Sequence, residues 1–383
     1  MRLSFCACWA AFAFAACASK NEPGGSACAD AEFIVAASDY SSSAVGAAKS
    51  QGLSELASGV DLGGDPALAA SRGRVFFLAR DHDLVFELDP SCGAPIARFS
   101  VHDLAPRDAK GIVTTANPQD VAAAPDGSLL VPLYNTPAVA IVRDGHLERT
   151  IELSSFDSDS NPQATSVRIV DVGGSPKAFV ALERLDDKAI VPLVPKDSAQ
   201  MLRIDVQTGA IEATTDLAAR NPFNTMAEQD GFLFLAAPDG MNAANDALAG
   251  IERFDTKTAT TKLLVPETSL GASAVEIAVS AGCGAVILRG PEVNVNPTSL
   301  ALFDPDSGEL FAVGKTSPLA TDGYDLQGLL WQGNKLYVGD RRQGADGYRV
   351  HVFEREAGRC AIHETSQAIR VPQPPVALRA KAR

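Results

Sequence analysis

The sequence predicts an all-β protein, a seven-bladed β-propeller, on three observations: a recurring unit of about fifty residues, the same turn chemistry inside each unit, and complementary chain ends. Each unit opens on a turn, at Asp65-Pro66, Asn117-Pro118, Asn161-Pro162 and Asn221-Pro222, with looser counterparts near Ser273 and Gly323. Asn or Asp before proline favours a turn, and an apolar strand follows, as at Ala67–Ala70 and Val121–Ala124. Next comes a run apolar at almost every position: Val75–Leu78, Leu129–Val131, Ala178–Leu182, Phe232–Leu235, Ala285–Leu288 and Lys335–Val338. Such runs fit strands buried on both faces between neighbouring sheets. A Gly or Asn usually precedes them, supplying the tight turn from the previous strand (Gly73, Gly127, Gly231, Gly284, Asn334).

The third element is an apolar strand ending in an acidic turn. Examples are Phe86–Pro90, Leu202–Asp205 with Thr208-Gly209, Ile251–Asp255, Leu302–Pro305 with Ser307-Gly308, and Val350–Glu354 with Gly358. The acidic side chain caps the turn, and glycine takes the positive φ before the fourth strand. At the N-terminal end, Phe33–Asp39 matches the apolar run but lacks an inner strand before it. At the other end, Gln373–Leu378 matches the unit openings, so the C-terminal strand is expected to pair with the N-terminal blade and close the ring. Six full units and this composite make seven blades. The segment Asn117-Pro118-Gln119-Asp120-Val121-Ala122 and the strand-Asp-x-x-Thr-Gly pattern ending at Gly209 resemble the YVTN-type, quinoprotein-like bacterial surface propellers. That resemblance covers nearly the whole chain after the leader. It implies the architecture and leaves the activity open.

Of the 383 residues, 21% are charged and 46% hydrophobic, which suits a globular core, and the net charge is −14. So acidic a chain repels phosphates at long range, which argues against sequence-independent nucleic-acid binding.

The first residues read as an export signal. Arg2 is the positive start, and Phe5–Ala16 is an apolar run too short to span a bilayer. Phe14-Ala15-Ala16-Cys17 resembles a bacterial lipobox, with Phe14 where leucine is usual. The resemblance implies lipidation of Cys17; the rival reading is a soluble secreted protein cut nearby. The expected organisation is a leader at 1–16, a flexible tether at 17–31, one propeller at 32–378 and a basic tail at 379–383. In that tail region Arg370, Arg379, Lys381 and Arg383 read as a solvated end. Ala18 after the cysteine resembles lipoproteins sorted outward, so an outer-membrane location is expected, on either face. The other cysteines, Cys28, Cys92, Cys283 and Cys360, suggest two disulfides in any of three pairings.

In this fold the loops leaving the second strands share one face around the central channel. Those exits carry Asp39 and Tyr40; Arg80, Asp81 and His82; Tyr134 and Asn135; Glu183 and Arg184; Asp239; Arg289; and Asp340, Arg341 and Arg342. From Arg80 onward these are the candidate ligand-binding residues. Asp157–Asn161 looks like the start of a calcium loop, but Pro162 and Arg168 stand where glycine and glutamate belong, so an ordinary turn is the better reading. Catalytic motifs are few. The five histidines (82, 102, 146, 351, 363) are widely spaced, with no HExxH, nucleophile elbow or phosphate-cradling loop. No cofactor or metal is therefore expected. The leading expectation is a lipid-anchored envelope module that binds a protein, peptide or glycan partner. The alternative is a metal-dependent lactonase or hydrolase, which needs Glu183, Asp81, Asp239 and Asp340 to converge on one ion.

Overall fold

Strands apolar at every position need a covering on both faces, and the chain provides it by arranging seven small sheets around an axis. The computed structural model describes residues 31–49, 52–53, 61–186, 194–240, 246–290 and 296–380. The expected leader, Cys17, the tether up to residue 30 with Cys28, and Lys381 and Arg383 lie outside the described residues.

Every sheet is an antiparallel meander counted from the axis outward. Blades 2 to 7 run in chain order, from inner to outer strand. They span Pro66–Ser71 to Pro95–Ser100, Ala122–Ala123 to His146–Glu152, and Ala164–Val172 to Ile211–Asp216. Phe223–Gln229 to Thr260–Pro266, Ser273–Ser280 to Leu310–Ala312, and Leu326–Gln332 to Ile362–Glu364 follow. Blade 1 is the composite that the chain ends suggest. Its inner strand, Pro375–Arg379, pairs antiparallel with Phe33–Ser38, Val35 opposite Leu378 and Ala36 opposite Ala377.

Alternation along the second strands builds the core. In Arg74–Ala79, Val75, Phe77 and Ala79 face blade 1, whereas Phe76 and Leu78 face blade 3. The same division recurs around the ring, so each junction between neighbouring blades holds its own apolar cluster. The junction between blades 7 and 1 is filled like the rest: Phe33 packs on Tyr337 with ring centroids 4.4 Å apart, beside Val350, Val352 and Leu378. Each buried aromatic contributes about 1.5–3 kcal/mol, so this junction is held by packing as well as by strand pairing.

The acidic turns behave as the sequence suggests. Asp205 accepts from the Thr208 amide at 2.9 Å and Asp304 from the Ser307 amide at 2.8 Å. Gly308 has φ of +81°, and a Cβ there would meet the Leu264 carbonyl oxygen at 2.6 Å. Blade 3 differs. Its third strand, Ala138–Arg143, turns through Asp144 and Gly145, both at positive φ, directly into His146–Glu152. That is the two-residue hairpin which Asp-Gly favours.

One disulfide joins Cys283, the first residue of the second strand of blade 6, to Cys360, in the turn before the outer strand of blade 7. Cys92 is a half-buried thiol, and its remaining possible partner, Cys28, is outside the described residues. The solvated-tail reading needs correction at two residues. Arg379 is the last residue of the inner strand of blade 1, and Arg370 lies in Ile369–Val371, a strand paired with the third strand of blade 7. No helix among the described residues is long and apolar enough to cross a membrane.

Candidate functional site

Strand direction gathers polar residues at one end of the ring. Each second strand ends, and each inner strand begins, at the same face, where a cavity of about 370 Å³ receives side chains from all seven blades. Tyr40, 56% exposed, marks its mouth.

Four of the strand-exit residues line this cavity: Tyr40, Arg80, Tyr134 and Glu183. The Arg80 guanidinium donates to Gln119 Oε1 at 2.9 Å and to Asp65, so blades 2 and 3 are tied across the rim. Tyr134 donates its hydroxyl proton to Glu183 Oε2 at 3.0 Å. Glu183 is only 1% exposed, and burial pushes its carboxyl up to about 8 despite that hydrogen bond.

Two further strand-exit residues support the rim. Arg341 stacks over Tyr40 at 4.6 Å and Arg289 lies over Tyr324 at 5.8 Å. The Tyr40 hydroxyl meets the Gln327 side chain, which also accepts from Arg341 at 3.3 Å.

The other candidates are engaged locally and do not line the cavity. Asp81 accepts from the Gly64 amide at 2.7 Å, and His82 stands 3.6 Å from Asp61. Asn135 donates to the Thr115 carbonyl, and Arg184 to the Ser198 carbonyl. Asp239 pairs with Asp246 beside Arg220; burial first, then the neighbouring carboxylate, pushes it up to about 7. Asp340 is buried between Arg342 at 2.8 Å and His351 at 2.9 Å. Burial would raise its carboxyl, but the His351 and Arg342 hydrogen bonds prevail and hold it below the usual range. His351 is thus a structural bridge, its other ring nitrogen 2.6 Å from Glu364. The carboxylates named for a metal-dependent hydrolase accordingly do not converge. Among the described residues no group of three His, Cys, Asp or Glu side chains could hold a metal. At Asp157–Asn161 the Lys196 ammonium sits 2.5 Å from Asp157 and 2.7 Å from Asp159, filling the place a cation would take.

The inner strands add residues that the exit rule misses: Asn117, Gln119, Asn224, Thr225, Glu276, Gln327 and Arg379. Glu276 accepts from the Gly328 and Leu329 amides at 2.8 and 2.9 Å. Burial raises its carboxyl, opposed by the Arg379 guanidinium. Arg379 in turn reaches across the channel to the Thr225 hydroxyl in blade 5. The available signal was a lone charge in an apolar strand, as in Ser273–Ser280.

No known protein family matches the chain, and no curated protein sequence matches it. Solved structures do. A protein from Lactobacillus plantarum is similar with a TM-score of 0.56 at 13% identity, over 91% of this chain and 98% of that one. A Bacteroides uniformis protein provisionally assigned as a 6-phosphogluconolactonase gives 0.54 at 12% identity, over 91% and 98%. Apo AztD from Citrobacter koseri gives 0.51 at 13% identity, over 91% and 97%. At such identities the likeness is one of fold, and it agrees with the seven-bladed ring described above.

Proposed function

We propose that this protein is a lipid-anchored, non-catalytic module of the bacterial cell envelope that binds a protein or peptide partner through its cavity face. The observation that carries the reading is the cavity at the hub of that face, with Tyr40–Arg341 and Tyr324–Arg289 stacked beside it. Tyrosine and arginine dominate the energetic centres of protein interfaces, because they combine large contact area with polar ends. Here stacking holds the arginines in place before any partner arrives, which lowers the entropic cost of binding.

The test is mild crosslinking in intact cells, capture of the tagged protein and mass spectrometry. Wild type is compared with the triple variant Tyr40→Ala, Tyr324→Ala, Arg341→Ala. A partner captured near-stoichiometrically by wild type and lost from the variant is the expected result. Equal capture by both, or no partner in either, defeats the proposal.

A further inference from the structure

We infer that the central cavity is a binding site for an alkylammonium group, carried by a lysine of a peptide partner or by a small amine, with Glu183 as its counter-ion. The inference rests on the binding role proposed above.

Three carboxyl groups face the cavity, and two are already matched. Asp65 pairs with Arg80. Glu276 has two backbone amides and the charge of Arg379. Glu183, the most buried of the three, has one hydrogen bond, from the neutral Tyr134 hydroxyl, and among the described residues no Lys, Arg or His pairs with it. A buried carboxyl with free acceptor capacity next to open space gains most from a cation that brings its own N–H donors.

The surroundings favour an ammonium over the alternatives. Of the two arginines that line the cavity, Arg80 pairs with Asp65, and Arg379 donates to the Leu378 carbonyl and the Thr225 hydroxyl with the charge of Glu276 nearby, so an anion finds neither guanidinium uncommitted. A hard metal ion needs about six oxygen ligands, and Glu183 is a single carboxylate. Phe223 and Tyr134 also line the cavity and supply aromatic surface for a methylene stem. The net charge of −14 draws cations toward the protein.

With the cavity empty, burial holds Glu183 protonated at neutral pH, since its carboxyl titrates near 8. The other titratable groups facing the cavity are Asp65, Arg80, Glu276, Arg379, Tyr40, Tyr134 and Tyr324. Entry of the ammonium therefore releases the Glu183 proton to solvent and leaves an ammonium–carboxylate pair.

The probe is n-butylammonium, titrated calorimetrically into the full chain at several pH values, in buffers of different protonation heat. Wild type is expected to release close to one proton per ligand at pH 7. Affinity should rise about tenfold per pH unit up to about 8 and then level off. Glu183→Gln, which keeps the shape and the Tyr134 contact, should weaken binding at least tenfold and abolish the proton release, with an unchanged far-ultraviolet circular dichroism spectrum as the fold control. Equal affinity in wild type and Glu183→Gln, or n-butyrate binding in place of the amine, overturns the inference. Partner capture separates the sources: capture lost in Glu183→Gln assigns the ammonium to a lysine of the partner. Unchanged capture together with Glu183-dependent amine binding assigns it to a free amine. If wild type captures its partner yet binds no butylammonium, this inference fails and the binding role stands.

Discussion

Glu183 and Glu276 face the same cavity with the same chemistry, and their partners separate them. Glu276 rests on two amides and a guanidinium, whereas Glu183 depends on one hydroxyl. Linkage turns this into a stability expectation. A carboxyl raised to about 8 in the folded state, against an ordinary glutamate unfolded, keeps its proton while the unfolded chain loses it. Stability therefore falls as pH rises from about 4.5 toward 8, by about 1.4 kcal/mol per unit at the steepest. Urea unfolding of wild type and Glu183→Gln at pH 5, 6, 7 and 8 should show the variant gaining steadily relative to wild type across that window. Parallel curves would mean that Glu183 is ionised in the folded protein. Arg379 gives the converse case. Arg379→Met leaves Glu276 buried without its counter-charge and should cost about 3 kcal/mol, read as a lower urea midpoint. Sequence reasoning found Arg80, Tyr134 and Glu183 because each directly follows an apolar run. Glu276 and Arg379 escaped it because they lie inside strands, where direction toward the axis depends on register.

At the scale of the element, the second strands were the most legible feature, since a run apolar on both faces has few other places in a small fold. The turns were nearly as clear where Asp and Gly stood at fixed spacing, and blade 3 was less so because Asp144-Gly145 follows a different turn rule. Loop contacts were not legible: Asp81, Asn135 and Arg184 read as candidate ligand-binding groups and instead tie the loops to Gly64, Thr115 and Ser198. Cysteine count could not fix a pairing, and the fold did so by bringing the start of the second strand of blade 6 against the last turn of blade 7. The bond closes 77 residues of sequence, which by loop-closure entropy gives about 4 kcal/mol of stabilisation. Cys283→Ala with Cys360→Ala should lower the melting temperature, and adding reductant to wild type should reproduce the loss. A double variant that melts with oxidised wild type would mean that packing alone holds blades 6 and 7.

At the scale of the whole molecule, ring closure and strand direction set which way the site faces. The second strands all run toward the cavity face, so the first of them, Phe33–Ser38, starts on the opposite face, about 20 Å away at the usual rise per residue. The chain leading from a lipidated Cys17 would thus join the ring on the side away from the cavity. Anchoring and recognition are then separable. Cys17→Ser should move the protein from the membrane pellet to the soluble fraction, while the purified variant binds the partner as tightly as wild type. Retention in the pellet would refute the anchor. Release accompanied by loss of affinity would show instead that the membrane forms part of the binding surface, since Cys17→Ser leaves Tyr40, Tyr324 and Glu183 untouched.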